Sequence, residues 1–409
     1  MATRINNQGV QIIMHSESEL KSVQLELSSN CQAGCMECGR WKTWGDKQIL
    51  NPNLKFGNEG NIKVDLIKRV FDRKKLPVFN FIALDGNYGD SLIHPQSLEI
   101  MEYLFMTFGD QKNPFKKTDT PLQIEVNTNG GYHKPEYWYE LGKLFKQHSI
   151  LNKDYESSVV FGIDGIDNAT HDKYRRNVVY DKVITNAEQF IKGGGRAEWK
   201  YLEFDHNVHQ TDQAREIAKE MGFKKFFVKR SRWVEAALRE VVEKDVSATK
   251  IKGEKLGKKG KAAEYSRIPE TKKEKFITQV KEQVAQYKDY YNDSEISCYW
   301  RGRKRLQIEY DGTVWQCCHL SGIYGSGTGF KGNKWDKEKQ NEYAYYVDTY
   351  GTEWNSLYKH SLNEILTHPY FGAIANSWNN KTTDTKEPRL KRCVEKCAFK
   401  GTRDKRERL

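Results

Sequence analysis

Eight cysteines are the residues of this 409-residue chain that point most directly to chemistry. Three of them, Cys31, Cys35 and Cys38, stand in the run SSNCQAGCMECGRW with the spacing Cys-x3-Cys-x2-Cys. Three thiolates on one short loop can ligate three irons of a cubane cluster and leave the fourth iron open. A structural zinc site normally needs four protein ligands, and the nearest histidines in sequence are His15 and His94. A zinc-binding or chemically inert loop is the alternative.

The other five cysteines lie in the last third of the chain. They are Cys298, Cys317, Cys318, Cys393 and Cys397. Between the first two, residues 305–310 alternate apolar and polar side chains, and Asp311-Gly312 is a hairpin turn signal. The hairpin would bring Cys298 and Cys317 to the same end. Four such thiolates complete a cluster site without an open position, and a four-thiolate zinc site is the alternative.

The elements that must position the first cysteine group alternate between strand and helix patterns over about 210 residues. Strands are predicted at 23–27, 78–84, 122–126, 159–163, 199–204 and 225–228, and helices at 64–71, 98–108, 137–145, 181–191 and 213–221. Such alternation indicates parallel strands covered by helices. Six units predict an α/β fold with an open, partial (β/α)6 TIM-like barrel, whose active site lies at the carboxyl ends of the strands.

The pattern changes after Trp233, which predicts further segments. We predict four parts: an N-terminal extension (1–20), the partial barrel (21–233), a Lys-rich linker or helical insertion (234–290), and a small α+β domain with a β-hairpin and a basic C-terminal tail (291–409).

The net charge of +12 is concentrated in two segments. Residues 249–276 carry ten Lys or Arg against four Asp or Glu, and residues 391–409 carry eight against three. Solvated segments are the favoured interpretation, and contact with an anionic partner is the alternative. No apolar run reaches the length of a membrane span, and the first residues do not have the pattern of a signal peptide. We therefore expect a cytoplasmic protein, in which cysteines serve metal or redox chemistry.

The Cys-x3-Cys-x2-Cys loop directly after the first strand resembles that of the radical S-adenosylmethionine (SAM) enzymes. The resemblance implies that Cys31, Cys35 and Cys38 hold a [4Fe–4S] cluster whose fourth iron binds SAM. It also implies reductive cleavage of SAM to a 5′-deoxyadenosyl radical, which abstracts hydrogen from a substrate. In that family an aromatic residue usually precedes the third cysteine, where this chain has Glu37; Trp41 or Trp44 could supply the ring instead.

Three other loops at strand ends resemble SAM-binding loops of the same family. Residues 84–95 are similar to its Gly-Gly-Glu loop, 128–130 to its Thr-Asn-Gly turn, and 162–175 to the Ser-x-Asp-Gly…His-Asp-x-x-Arg run of its peptide-modifying branch, with Gly162 at the Ser position. The resemblance implies that Arg175, with Arg176 as the rival, pairs with the SAM carboxylate. The SAM-binding residues implied in these loops are Gly89, Asp90, Asn129, Asp164 and Arg175, and Asn207, in residues 203–210 at the end of the fifth strand, is a further candidate contact. Asp90, Asp164 and Asn207 could instead cap turns or helices.

The second cysteine group resembles the auxiliary-cluster domain called SPASM, or its shorter form, twitch. The Cys-x13-Gly-x4-Cys part matches, and the long cysteine-rich middle of SPASM is missing. One auxiliary [4Fe–4S] cluster is implied, with Cys298, Cys317, Cys393 and Cys397 as ligands and Cys318 as the alternative to Cys317.

We therefore expect an enzyme with two [4Fe–4S] clusters and SAM that acts on a peptide or small molecule, with net oxidation as the favoured outcome. A one-electron reductant, flavodoxin or ferredoxin, is the implied partner. Radical modification of a nucleic acid is one alternative, marked by steeply salt-dependent binding. A non-enzymatic iron–sulfur or zinc scaffold protein is the other.

Overall fold

The predicted alternation of strands and helices is present in the structure. A computed structural model describes residues 16–35, 38–44, 47–50, 54–109, 121–148, 156–230, 278, 281–282, 285–324, 345–351, 353–398 and 407–408. Glu37, the side chain of Trp44 and most of the predicted linker at 234–290 lie outside the described residues.

Eleven strands are present in this part of the chain. They are β1 (Ser22–Leu25), β2 (Trp41–Trp44), β3 (Lys47–Leu50), β4 (Phe81–Leu84), β5 (Gln123–Thr128), β6 (Ser158–Gly162), β7 (Ala197–Glu203), β8 (Lys225–Arg230), β9 (Arg305–Ile308), β10 (Val314–Trp315) and β11 (Glu407–Arg408). The strands β2 and β3 form a separate antiparallel hairpin directly after the first cysteine loop, which the sequence pattern did not predict.

Twelve α-helices are assigned bounds in the same residues. They are α1 (Val64–Val70), α2 (Ser97–Phe108), α3 (Pro135–His148), α4 (Asn168–His171), α5 (Tyr180–Lys192), α6 (Thr211–Glu220), α7 (Tyr290–Asp293), α8 (Tyr299–Gly302), α9 (Cys318–Tyr324), α10 (Leu362–Leu366), α11 (Pro369–Asn376) and α12 (Lys391–Cys397). The helices and strands of the barrel, from β1 to β8, therefore match the predicted ones within a few residues.

The main sheet has the strand order β10-β9-β1-β4-β5-β6-β7-β8-β11. All neighbours from β9 to β8 pair in parallel, and β10 and β11 pair antiparallel at the two ends. Consecutive strands of the barrel are thus neighbours in space, with helices in the crossovers. This arrangement confirms the predicted α/β fold with a partial (β/α)6 barrel.

The helix-facing side of the sheet is apolar because strand side chains alternate between its two faces. On β5, Ile124 and Val126 are buried in the core while their neighbours Glu125 and Asn127 are partly exposed on the opposite face. The inward face of the barrel therefore carries polar residues, and the outward face packs against the helices.

The predicted hairpin of the C-terminal segment is present as β9 and β10, and it joins the sheet of the barrel. β9 pairs in parallel with β1, with Val23 opposite Leu306. At the turn, the Asp311 carboxylate accepts a hydrogen bond from the Thr313 amide at 3.0 Å, and Gly312 has a positive φ of 77°. The segment after residue 291 is consequently anchored on the first strand of the barrel.

Candidate active site at the carboxyl ends of the strands

The loop that carries Cys31, Cys35 and Cys38 begins just beyond β1. The amide of Cys38 donates to the carbonyl of Cys35 at 3.2 Å, which turns the loop back on itself. Two further contacts fix it: the Gly34 amide donates to the Arg176 carbonyl at 2.8 Å, and Arg40 Nη1 donates to the Cys31 carbonyl at 2.5 Å. These contacts hold the cysteine loop at the predicted edge of the barrel.

Hydrogen-bond donors from three parts of the chain point at the sulfur atoms of this loop. Cys31 Sγ accepts from the Ala33 amide and from Asn129 Nδ2, both at 3.4 Å. Arg175 Nη1 lies 4.0 Å from Cys35 Sγ. Asn129 follows β5 and Arg175 follows α4, so strand ends distant in sequence converge on the cysteine loop. This placement confirms that the predicted loops meet at one edge of the sheet.

Burial governs the protonation of the Cys31 and Cys35 thiols. It raises the pKa of Cys31 above its usual range and that of Cys35 to about 11, although the nearby Arg175 opposes the rise at Cys35. Metal binding must therefore displace protons from the thiols. Soft sulfur ligands with N–H groups directed at them suit an iron–sulfur cluster. The donor set of this loop fits such a group.

Asp90 is buried and faces the turn after β5. Its Oδ2 accepts three hydrogen bonds: from Thr128 Oγ1 at 2.8 Å, from the Asn129 amide at 2.9 Å and from Asn129 Nδ2 at 2.7 Å. Its Oδ1 accepts from the Leu92 amide at 3.1 Å. Burial raises the pKa of Asp90, and the amide donors oppose that rise. In this structure Oδ1 caps the turn at Leu92 and Oδ2 holds Asn129 in position, and the suggested contact of Asp90 with SAM stays a prediction.

Gly89 lets the loop after β4 press against the end of β1. A Cβ at this position would lie 2.1 Å from the carbonyl oxygen of Ser28. The next amide, that of Asp90, donates to the Asn30 carbonyl at 2.9 Å. Only glycine permits this approach of two backbones.

Gln32 is a residue of this site that the sequence reasoning missed. Its Nε2 donates to Asn129 Oδ1 at 2.6 Å, and Asn129 Nδ2 lies 3.4 Å from Gln32 Oε1. The two amides therefore pair between the cysteine loop and the turn after β5. The position of Gln32 directly after Cys31 is the only sequence signal for it.

Asp164 and Arg175 form a buried ion pair at the end of β6. Arg175 Nε donates to Asp164 Oδ2 at 2.6 Å, and the Leu202 amide donates to Asp164 Oδ1 at 2.7 Å. The side chain of Asp164 is fully buried, and that of Arg175 is 14% exposed. The two predicted residues are thus brought together, with Asp164 as the acceptor that orients the guanidinium.

Asn207 is fully buried, and main-chain groups occupy its amide. Its Nδ2 donates to the carbonyls of Asp164 at 3.1 Å and Leu202 at 2.9 Å, and its Oδ1 accepts from the Phe204 amide at 2.7 Å. The side chain ties the end of β6 to the end of β7. Its suggested contact with SAM stays a prediction, and the structure gives it a positioning role.

A polar chain on the inward face of the barrel was also missed. Lys200 Nζ donates to Asn127 Oδ1, and Asn127 Nδ2 donates to Asp85 Oδ1 at 2.8 Å. Burial lowers the pKa of Lys200 to about 7 and raises that of Asp85. The three residues occupy β7, β5 and the end of β4, so they span the inside of the barrel close to the cysteine edge.

Trp41, one of the two candidates for an aromatic contact, begins β2. The Arg40 guanidinium lies 5.7 Å from the centroid of its ring. The ring is therefore next to the residue that fixes the Cys31 carbonyl.

The second cysteine group lines a pocket in the C-terminal segment. Cys298, Cys317, Cys393 and Cys397 all contribute to it. Three cationic side chains, Arg301, Arg392 and Lys396, line the same pocket. Cys318 begins α9 and is not among the described residues that line it.

Hydrogen bonding links two thiols of this pocket directly. The hydrogen bond from Cys397 lowers the pKa of Cys298 to about 7, and it raises the pKa of Cys397. The Ser297 amide also donates to the Cys397 carbonyl at 3.1 Å. Two cysteines that are 99 positions apart in sequence therefore lie side by side.

No three Cys, His, Asp or Glu side chains of the described residues are gathered closely enough to hold a single metal ion. None of the helices in this part of the chain is both long and apolar enough to cross a membrane.

The fold and the site together define a partial (β/α)6 barrel with a three-cysteine loop at the carboxyl end of its first strand. No family model and no curated protein matches the chain. Among solved structures, native anSMEcpe with bound AdoMet (S-adenosylmethionine) is similar over 92% of this chain and 89% of that chain, with a TM-score of 0.50 and 14% identity.

Two other solved structures are less similar. The SuiB crystal structure from Streptococcus suis gives a TM-score of 0.41 at 13% identity and covers 74% of this chain. The match spans 61% of the SuiB chain, which is less than two thirds of its length. Methylornithine synthase (PylB) gives 0.32 at 11% identity, over 52% of this chain and 53% of that one. The likeness to anSMEcpe shows a shared fold, which agrees with the fold predicted from the sequence.

Proposed function

We propose that this chain is a radical SAM enzyme. The observation that carries the proposal is the convergence of Asn129 and Arg175, from two other strand ends, on the sulfurs of Cys31 and Cys35. A [4Fe–4S] cluster held by Cys31, Cys35 and Cys38 would supply the electron for reductive cleavage of SAM and thereby the radical chemistry that removes a hydrogen atom from the substrate. The chain supplies binding, orientation and exclusion of water.

The proposed ligands of this cluster are Cys31, Cys35 and Cys38. Asn129 and Arg175 donate hydrogen bonds toward the sulfurs, and Arg175 is the proposed partner of the SAM carboxylate because a guanidinium forms paired hydrogen bonds with such a group. Asp90 orients Asn129 and Asp164 orients Arg175. Gly89 and Asn207 hold the loops that carry them.

An auxiliary [4Fe–4S] site is proposed at Cys298, Cys317, Cys393 and Cys397. All four line one pocket, which favours Cys317 over Cys318 as the ligand. The cationic residues Arg301, Arg392 and Lys396 would balance the negative charge of a four-thiolate cluster. A cluster at this second site would accept the electron that remains on the substrate after hydrogen abstraction, which favours a net oxidation of the substrate.

We propose that residues 21–233 form the catalytic barrel and residues 291–409 the auxiliary segment, in a cytoplasmic enzyme. The substrate is a peptide or small molecule that enters the barrel, where Asp85, Asn127 and Lys200 line the inward face. The similarity of 162–175 to the peptide-modifying branch supports a peptide. A flavodoxin or ferredoxin is the proposed one-electron donor.

Iron analysis and electron paramagnetic resonance (EPR) of the anaerobically reconstituted chain test this proposal. We expect about eight irons per chain, about four per cluster, and a reduced-state signal that changes on addition of SAM. A variant with Cys31, Cys35 and Cys38 changed to Ala should retain about four irons and lose the SAM-sensitive signal. A SAM-sensitive signal that persists in this variant would refute the assigned ligands.

A further inference from the structure

The guanidinium of Arg175 fills the space that a side chain at position 162 would take. A Cβ at Gly162 would lie 2.7 Å from Arg175 Nη2, 3.1 Å from Cζ and 3.3 Å from Nη1. The first distance is shorter than real Cβ contacts and the other two are tight, so a residue larger than glycine at this position requires the guanidinium to move. Because Gly162 has no side chain, the guanidinium of Arg175 can lie against the end of β6.

The guanidinium is held there by a buried acceptor. Asp164 receives Nε at 2.6 Å, while its other oxygen is fixed by the Leu202 amide at 2.7 Å. Asp164 is fully buried and Arg175 only 14% exposed, so solvent screens this charge little. An arginine side chain also remains protonated throughout the usual pH range. The site thus contains a fixed ion pair, and its positive member is the one that faces the cysteine loop.

The same guanidinium faces the cysteine loop. Its Nη1 lies 4.0 Å from Cys35 Sγ, and Cys35 is 8% exposed. Hydrogen bonds to the sulfurs, net charge and solvent exposure set the potential of an iron–sulfur cluster. A fixed cation beside a ligating sulfur stabilises the reduced cluster, which carries one more negative charge, relative to the oxidised cluster.

We propose that Arg175 raises the reduction potential of the cluster bound by Cys31, Cys35 and Cys38. Gly162 leaves space for the guanidinium, and Asp164 holds it in place. Arg175 is in this respect a positioning residue that acts through Cys35. The inference rests on the proposed function, because it requires that cluster. It concerns the sulfur-facing side of the guanidinium and does not depend on a contact between Arg175 and SAM.

A redox titration of the reconstituted full chain, followed by EPR without SAM, tests the inference. The relevant signal is the one that disappears when Cys31, Cys35 and Cys38 are changed to Ala. For Arg175→Met we expect the ratio of reduced to oxidised cluster at a fixed potential to fall about tenfold, which corresponds to a midpoint about 59 mV lower for one electron. Arg175→Lys should give a smaller fall, because it keeps the charge and loses the fork.

Gly162→Ala provides an independent variant, because its methyl group displaces the guanidinium and leaves the arginine in the chain. It should lower the midpoint in the same direction as Arg175→Met. Lys173→Met is the matched control, since it removes one positive charge from an exposed position of the same loop. We expect the control to change the ratio less than about twofold, because exposed charges are strongly screened.

Three results separate the possible failures. Unchanged midpoints in Arg175→Met and Gly162→Ala, with the iron content of the wild type, would overturn the inference and leave the proposed function standing. A shift in Lys173→Met as large as that in Arg175→Met would also overturn it. Absence of the assigned signal from the wild type would refute the proposed function and the inference together. If Arg175→Met lost its iron, the midpoints of Gly162→Ala and Arg175→Lys would test the inference. Midpoints below that of the wild type would support it, and unchanged midpoints would overturn it.

Discussion

Asp90 Oδ2 accepts hydrogen bonds from both the main-chain and the side-chain amide of Asn129, at 2.9 and 2.7 Å. These bonds aim Asn129 Nδ2 toward Cys31 Sγ, 3.4 Å away. The loop after β4 therefore sets the position of a donor that follows β5, and that donor reaches the cysteine loop after β1. The Asp90 carboxylate thus links the loops that follow β1, β4 and β5, which are neighbouring strands of the barrel.

Asp90→Ala should disturb this arrangement strongly. It leaves the buried donors of Thr128 and Asn129 without their acceptor, and the expected loss of folding free energy is on the order of 3 kcal/mol. Urea unfolding measures the loss, and the yield of 5′-deoxyadenosine should fall as well. Asp212→Ala is the control, because that carboxylate is 94% exposed and its removal should cost below about 1 kcal/mol. Equal effects of the two substitutions would contradict the role given to Asp90.

Gly89→Ala tests the close approach of the loops after β1 and β4. The added Cβ would lie 2.1 Å from the Ser28 carbonyl oxygen, so one backbone must move. We expect a loss of more than about 2 kcal/mol in the free energy of unfolding, in the range of severe overpacking. Gly302→Ala is the control, since nothing lies within 4 Å of its Cβ position. A Gly89→Ala protein as stable as Gly302→Ala would contradict the packing described.

Single substitutions distinguish the two adjacent cysteines of the C-terminal segment. Cys317→Ala should lower the iron content by up to about four atoms per chain, since Cys317 lines the pocket with the other three thiols. Cys318→Ala should leave the iron content near that of the wild type. Iron analysis together with the absorbance of the reconstituted proteins measures both. The reverse pattern would assign the ligand to Cys318.

His171 should make stability depend on pH. Burial lowers its pKa in the folded chain to about 4, whereas an unfolded histidine has a pKa near 6.5. Below pH 6.5 the unfolded chain binds a proton that the folded chain does not bind until about pH 4. The contribution is therefore complete above pH 6.5 and is lost as the pH falls toward 4. Between pH 7.5 and 5.5 we expect a loss on the order of 1 kcal/mol.

Urea unfolding at these two pH values checks the prediction. His171→Asn is the comparison, because its side-chain oxygen can take the place of Nδ1, which accepts from the Asp164 amide at 3.2 Å. The wild type should lose more stability than the variant when the pH is lowered, and the difference isolates His171 from the other groups that titrate. Equal pH dependence in the two proteins would contradict the buried, neutral state of His171.

Local patterns in the sequence predicted the barrel and the cysteine loop well. The strands and helices follow from alternation and helical spacing of apolar residues, which are properties of neighbouring positions. The spacing of Cys31, Cys35 and Cys38 is local in the same way. The Asp311-Gly312 turn was also predictable, because the positive φ of Gly312 favours glycine.

Contacts between distant segments could not be predicted in this way. The pairing of β9 with β1 joins residues about 280 positions apart, and no local pattern specifies it. The inward orientation of Asp90 and the place of Arg175 over Gly162 depend on how separate loops meet. The SAM contacts of Asp90, Asp164 and Asn207 stay predictions, and the hydrogen bonds of these residues to the chain around Asn129 and Arg175 could not be read from local patterns.

Cleavage of SAM is the most direct test of the central claim. The reconstituted wild type, with dithionite and SAM under anaerobic conditions, should form 5′-deoxyadenosine. The variant with Cys31, Cys35 and Cys38 changed to Ala should form none. Formation by both proteins, or a wild type that binds zinc in place of iron and forms none, would contradict the account.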